Sequence, residues 1–352
     1  MNAPSKTTSL ATPASLGFSM PAEWEPHEAT WLTWPGNLIT WPDGRLEIVE
    51  RSYLQMMEAL LPHEKVRLIV RGPAEREKVE KGLKNSGPLI RNVVFYEKPA
   101  VDSWIRDYGP TYLKGKDGTK AWCKWRFNAW GGKYEDLFPD NELFQDSSMV
   151  SYRCFPKDIV LEGGSIEVDG AGTCLTSEQC LLNPNRNPHL SRKEIEKILC
   201  DYLGVQQILW LKEGVAGDDT DGHIDDIARF AAPNVIVAVT EDNPGDPNHA
   251  VLKENWELLK GMRNLKGGKW DLVKLPMPSP IIVEDEPLPA SYANFYIANK
   301  TVLLPVFDDP KDKEAVSIVK DLFPGRNVVS VPCREVVYGM GTVHCLSQQE
   351  PA

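Results

Sequence analysis

Amphipathic windows that stop at a short break and are followed by a β-branched run constrain this chain more than any other feature. Helical spacing with start and stop signals predicts helices over 45–61, 74–85, 191–203, 249–263 and 312–323. Ser191 followed by Glu194 has the spacing of a capping box, and Gly204 stands where a helix should stop. After each window comes a strand-like run: KVRLIV, NVVFY, QQILWL, KWDLVKL and NVVSV. Five helix-then-strand units favour an α/β fold over an all-helical one. They share a pattern and not their letters. A length of 352 residues allows two domains, but α/β barrels and propeller-like folds hold as many in one unit. One large domain over 19–352 is expected, behind a flexible Ser/Thr/Ala/Pro tail over 1–18.

Fifty acidic residues against 39 basic ones give a net charge of -11. Such a field repels nucleic acid and anionic membrane and attracts small cations. Seven cysteines, an odd number without a C-x-x-C pair, read as free thiols in a reducing compartment. The first twenty residues lack the apolar core of a secretory signal, and no later stretch approaches the ~20 apolar residues of a membrane span. A cytoplasmic protein is expected.

Chemistry in α/β proteins is usually presented on loops beyond strand ends. Three of the strand-like runs lead into polar, glycine-containing segments: DSWIRDYGP at 102–110, GDDTDGHIDD at 217–226 and VYGMGTVHC at 337–345. A fourth, LEGGS at 161–165, follows DIV. Cys345 follows a Gly339-Met340-Gly341 stretch that allows close backbone approach, whereas Cys123, Cys154, Cys174, Cys180, Cys200 and Cys333 sit in apolar contexts without such a loop. His223 lies among Asp218, Asp219, Asp221, Asp225 and Asp226, and carboxylates this dense need an offsetting positive charge. A solvated acidic turn, a metal and a cationic substrate are the readings. The absence of any H-x-H or H-E-x-x-H pair weakens the metal. Trp104 beside Asp107 offers an aromatic face next to an anion, a receptor for planar guanidinium, while Arg106 reads as half of an Arg–Asp pair holding a turn. Glu162, ahead of Gly163-Gly164, is either a turn residue or a site residue. Trp34, Trp41 and Trp130, each beside Pro or Gly, are candidates to wall a pocket.

Taken in order, EWEPHEATWLTWPG, DSWIRDYGP, EGGS, TDGHIDDIARF and GTVHC followed by SQQEP resemble the agmatine deiminase family, related to bacterial-type peptidylarginine deiminase, over roughly residues 20–351. The resemblance implies the five-bladed pseudo-symmetric α/β propeller of guanidine-modifying enzymes. It also implies Cys345 as nucleophile, His223 as general acid and base, and Glu162 as a carboxylate near His223 and substrate. Asp107 and Asp225 would grip the guanidinium, with Trp104 stacked on it. GMGTVHC departs from the family's more usual triple-glycine form, and Met340 is expected to narrow the site. The reaction implied is hydrolysis of agmatine to N-carbamoylputrescine and ammonia, a step towards putrescine and polyamines, with no metal or organic cofactor.

Guanidinium keeps its charge at ordinary pH and presents five coplanar donors, so paired carboxylates can hold it in one orientation. A thiol of pKa near 8.5 is only about 3% ionised at pH 7, and neighbouring carboxylates lower that fraction, a penalty the substrate cation reverses. Alternatives are a deiminase of free, methylated or peptidyl arginine, a non-catalytic polyamine- or arginine-binding protein, and a metal hydrolase built on His223, Asp225 and Glu162. The expected partner is a small cationic guanidine, with no nucleic acid and no membrane. A homodimer is left open.

Overall fold

The computed structural model describes residues 11–145 and 148–352. Its α/β fold repeats one pairing rule in five sheets: a central strand runs antiparallel to one neighbour and parallel to another. In chain order these triplets are Thr111–Gly115, Lys120–Arg126 and Arg153–Val160; Glu167–Val168, Thr173–Ser177 and Gln207–Leu211; Ala228–Ala232, Val235–Thr240 and Asp271–Pro276; and Tyr296–Ile297, Thr301–Val306 and Asn327–Pro332. The fifth joins the two ends of the chain. Ser347–Pro351 pairs antiparallel with His27–Thr33, which continues in parallel to Lys65–Val70 and then Val93–Glu97. A two-stranded ribbon, Ile282–Val283 with Glu286–Pro287, lies outside these sheets.

A parallel step requires a crossover, and amphipathic helices supply most of them. Arg45–Leu60, Pro73–Gly82, Arg192–Leu203, His249–Gly261 and Asp312–Leu322 fall where their spacing places them, each followed by its strand. The Ser191 backbone N–H donates to Glu194 at 2.8 Å, and Gly204 ends its helix at φ 71°. The five units nevertheless do not map one to one onto the five sheets. KVRLIV and NVVFY share a sheet, whereas Lys120–Arg126 and Arg153–Val160 are linked without a long helix. Their connection, with Gly131, Gly132 and Pro139, cannot hold helical periodicity, so the sequence pattern misses that sheet.

Two apolar clusters form the core. The larger spans Trp31, Tyr53, Phe230, Tyr296 and Leu303. The smaller packs Leu113, Cys123, Cys174, Leu199 and Trp210 around helix Arg192–Leu203. All seven cysteines are free thiols. The expected tail over 1–18 is described only from residue 11 onward. Residues 1–10 lie outside the described residues, but Ala14–Leu16 form a 3-10 turn, and Phe18 pairs with Gly115 and packs edge-on against Phe155. Among the described residues no helix is long and apolar enough to cross a membrane.

One consequence of the repeat positions the chemistry. The antiparallel first strand of each sheet is entered from an irregular connection, and those five connections carry Asp107, Glu162, His223 with Asp225, Asn294 and Cys345.

Candidate active site

Four of the five connections are the polar segments singled out in the sequence, and their side chains meet. A cavity of about 190 Å³ has Trp104, Asp107, Trp130 and Cys345 in its wall. These four are buried, whereas Ile39, Tyr134 and Asp136, also in the wall, are exposed, so the cavity runs from solvent to the sulfur. Fully buried beside it are Asp225, whose Oδ2 is 3.8 Å from Cys345 Sγ, and His223, whose Nδ1 is 3.8 Å from Asp107 Oδ1. Glu162 is adjacent, with its carboxylate, the Cys180 sulfur and a His223 nitrogen all within 4.8 Å.

Glycine makes this convergence possible. A Cβ on Gly164 would lie 2.6 Å from His223 Nδ1, 2.9 Å from Asp107 Oδ1 and 3.1 Å from Asp225 Oδ2. One on Gly341 would lie 2.7 Å from Trp104 and 3.2 Å from Cys345 Sγ. Gly164→Ala must therefore displace at least one of three site residues. It is expected to lower turnover about a hundredfold or more with a folded, soluble product, since a shift of ~1 Å near the chemistry costs on that order. Steady-state assay beside a thermal melt checks this, and unchanged turnover would count against a site built around Gly164. Met340 occupies the left-handed region at φ 73°, which glycine adopts without strain, and its side chain does line the cavity, as expected.

Asp107 is held on both oxygens, by the Gly164 N–H at 2.9 Å and Trp130 Nε1 at 2.9 Å. Burial, reinforced by Asp225 and Glu162 against the pull of His223 and Trp130, raises its pKa above the ordinary carboxylate value. Asp225 goes the other way. Burial opposes its ionisation, but His344, His223 and Arg229 outweigh burial and lower its pKa. His223 loses charge to burial, yet Asp107, Cys180 and Asp225 overcome this and hold it protonated well above the usual imidazole range. The Cys345 thiol is pushed far up by burial and by Asp225, Asp226 and Asp107. Both ring nitrogens of His223, one oxygen of Glu162 and one of Asp225 are buried without a protein hydrogen-bond partner.

Several residues have duties the sequence does not reveal. His344 Nδ1 meets Asp225 Oδ2 at 2.6 Å and its Nε2 meets Glu23 Oε2 at 2.8 Å. Glu23 also binds Arg229 at 2.9 Å and Arg106 at 3.4 Å. Burial would raise the Glu23 carboxyl, but Arg229, His344 and Arg106 drive it far below the carboxylate range. Arg106 thus pairs with Glu23, and with Gln349 at 2.7 Å, rather than with a neighbouring Asp. Trp130 lines the cavity, whereas Trp34 and Trp41 are core residues; Trp41 supports Trp104 at 5.6 Å between ring centroids. Asn294, absent from the sequence reading, donates through Nδ2 to Cys345 Sγ at 3.1 Å.

The acidic turn mostly carries its own compensation. Asp218 accepts the backbone N–H groups of Thr220, Gly222 and His223. Asp221 pairs with Arg186 at 2.6 Å and Lys133 at 2.8 Å. Glu162 Oε1 is likewise taken by Arg186 Nε at 2.6 Å. Among the described residues His223, Asp225 and Glu162 do not form one donor set: Glu162 and His223 group with Cys180, while Asp225 groups with Asp226 and Cys345. Among the described residues four aspartates, 102, 107, 136 and 219, line the cavity, and no Lys or Arg does.

The chain is similar to known proteins over nearly its whole length. The model of the Porphyromonas-type peptidyl-arginine deiminase family matches residues 19–351. An agmatine deiminase of Pseudomonas aeruginosa is 38% identical, covering 97% of this chain and 98% of that protein. The solved agmatine deiminase of Enterococcus faecalis superposes with a TM-score of 0.89 at 33% identity, covering 97% and 98% of the two chains. That of C. jejuni superposes with a TM-score of 0.81 at 30% identity, covering 95% and 96%.

Proposed function

Because this chain belongs to the Porphyromonas-type peptidyl-arginine deiminase family, we propose that its cavity hydrolyses agmatine to N-carbamoylputrescine and ammonia through a covalent bond to Cys345. The observation that carries this reading is a thiol and two carboxylates at the buried end of a cavity whose charged wall residues are all acidic. Agmatine is positive at both ends. Asp107 and Asp225 grip the guanidinium, with Trp104 against its face, while Asp136 and Asp219 stand towards the open end for the terminal ammonium. Burial and Asp218 raise the Asp219 pKa to about 6 against the Tyr134 hydroxyl and Lys133, and a bound ammonium would favour its ionised form.

In the free enzyme the Cys345 thiol keeps its proton, because burial and three aspartates oppose a thiolate. A guanidinium between those aspartates supplies the missing positive charge, and the proton leaves to solvent. The sulfur lone pair forms a bond to the guanidinium carbon while the C=N π pair moves onto nitrogen. His223, already an imidazolium, gives its proton to one NH2, and the C–N bond breaks with its electron pair leaving as ammonia. A cationic thiouronium remains on Cys345. The now neutral His223 takes a proton from water, whose oxygen attacks the same carbon. The C–S bond breaks, its pair returns to sulfur as thiolate, the new hydroxyl releases its proton, and the ureido product departs. Glu162, held by Arg186, keeps one oxygen free beside His223 to orient its ring.

The five repeated sheets, with all five inter-sheet connections carrying site residues, support a five-bladed pseudo-symmetric arrangement of one domain over 19–352. Seven free thiols support a reducing, cytoplasmic location.

Incubation with agmatine should release ammonia and N-carbamoylputrescine in equal amounts, and ammonia without the ureido product would refute the reaction. The pH profile follows from the groups themselves. Ionised Asp107 is lost as pH falls through its raised pKa, so the acid limb of kcat/KM should lie above the ordinary carboxylate value. Protonated His223 is lost as pH rises through its own raised pKa, which places the alkaline limb above the ordinary imidazole value. Asp107→Asn should raise KM, lower kcat and leave only the acid limb that Asp219 sets. An acid limb centred at about pH 4 or below in wild type would contradict the assignment.

A further inference from the structure

We propose that Asn294 is a catalytic residue whose carboxamide donates to the Cys345 sulfur and carries its negative charge as the covalent intermediate forms and breaks down. This rests on Cys345 being the nucleophile. The donor's identity is fixed by geometry. Asn294 Oδ1 accepts the Thr342 hydroxyl at 2.8 Å, the His344 backbone N–H at 3.0 Å and the Cys345 backbone N–H at 3.4 Å. Backbone N–H groups can only donate, so the oxygen must face them, and the NH2 is left pointing at Sγ, 3.1 Å away.

The Thr342 backbone also favours the thiolate, but Asn294 is the side chain that does so among the described residues. Asp107, Asp225 and Asp226 all oppose a thiolate. His344, the neighbour in sequence, has both ring nitrogens engaged by Asp225 and Glu23. The Asn294 residue is itself fully buried, so the amide is held in place before substrate arrives. It precedes the strand Tyr296–Ile297, in the inter-sheet connection over 277–295.

A donor to sulfur helps both halves of the reaction. Attack needs thiolate: lowering the thiol pKa by about one unit gives roughly tenfold more thiolate and costs roughly threefold in nucleophilicity, a net gain of about threefold. In the second half the C–S bonding pair returns to sulfur, and the same N–H stabilises the departing thiolate. Sulfur as a thioether in the intermediate accepts this bond more weakly, so the amide acts as charge appears and not on the adduct.

The test reads the thiol without turnover. Wild type, Asn294→Ala and Asn294→Asp are pulse-alkylated with iodoacetamide from pH 7 to 10.5, and modification of the peptide containing Cys345 is followed by mass spectrometry. Asn294→Asp keeps an oxygen for Thr342 and the two backbone donors and so preserves the loop if the alanine variant does not fold. Removing the donor should slow alkylation at pH 8 by about three- to tenfold. It should also move the bend of the pH profile up by about one to two pH units, the size of a charge-assisted hydrogen bond. A purely structural role predicts one constant factor at every pH with the bend unmoved, and that result, or no change, would overturn the proposal. Failure of the nucleophile assignment is separate: it would appear as turnover surviving Cys345→Ala.

Discussion

Cys345→Ala is expected to hold agmatine turnover below about one thousandth of wild type while agmatine still binds with affinity within a few-fold. The two effects separate because different atoms perform them. Sγ is the atom that bonds to carbon, whereas the grip on guanidinium comes from Asp107, fixed by the Gly164 N–H and Trp130, and from Asp225, fixed by His344. Deleting one sulfur leaves those carboxylates in place and removes a group whose burial among aspartates was unfavourable to charge in any case. Isothermal titration with the variant and acid-quench mass spectrometry of wild type read the two halves. An adduct on the peptide containing Cys345 supports the covalent path. Activity within about tenfold of wild type, worth only ~1.4 kcal/mol of barrier, places the nucleophile elsewhere.

Helices and the candidate site residues were legible in the sequence for opposite reasons. A helix such as Arg192–Leu203 announces itself locally, through a capping box, an apolar stripe and a left-handed glycine stop. Cys345, His223, Glu162, Asp107, Asp225 and Trp104 are reactive or ionisable types, or aromatic, in polar glycine-containing segments between strands, and their roles follow from the resemblance of those segments to the deiminase family. The structure brings all six around one cavity. What stayed hidden depends on partners far along the chain. Glu23 matters because Arg229 and His344 reach it from 206 and 321 residues away. Arg186 matters because Glu162 and Asp221 converge on it. Asn294 is a neutral amide in an apolar segment. Only the fivefold repeat marks it, as the single inter-sheet connection left without an assigned group. That repeat could not be counted from helix periodicity, because the sheet of Lys120–Arg126 and Arg153–Val160 is crossed without a long helix.

The choice of substrate rests on charge. Arginine differs from agmatine by a carboxylate, which needs a cation or donors when it leaves water. Arg334, the nearest basic residue in sequence to the cysteine loop, turns to the Phe307 carbonyl at 3.3 Å and does not line the cavity. Lys133 is engaged with the Asp219 carbonyl and Asp221, and Arg106 and Arg229 are engaged with Glu23. A carboxylate entering among Asp102, Asp136 and Asp219 therefore meets like charge and no cation in the cavity wall. A cost of about 3 kcal/mol or more follows, equivalent to a hundredfold or greater discrimination. The measurement is kcat/KM for agmatine, free arginine and a blocked arginine peptide under one set of conditions. The account predicts agmatine ahead of both by at least about a hundredfold. Arginine or the peptide used equally well or better would contradict the agmatine assignment.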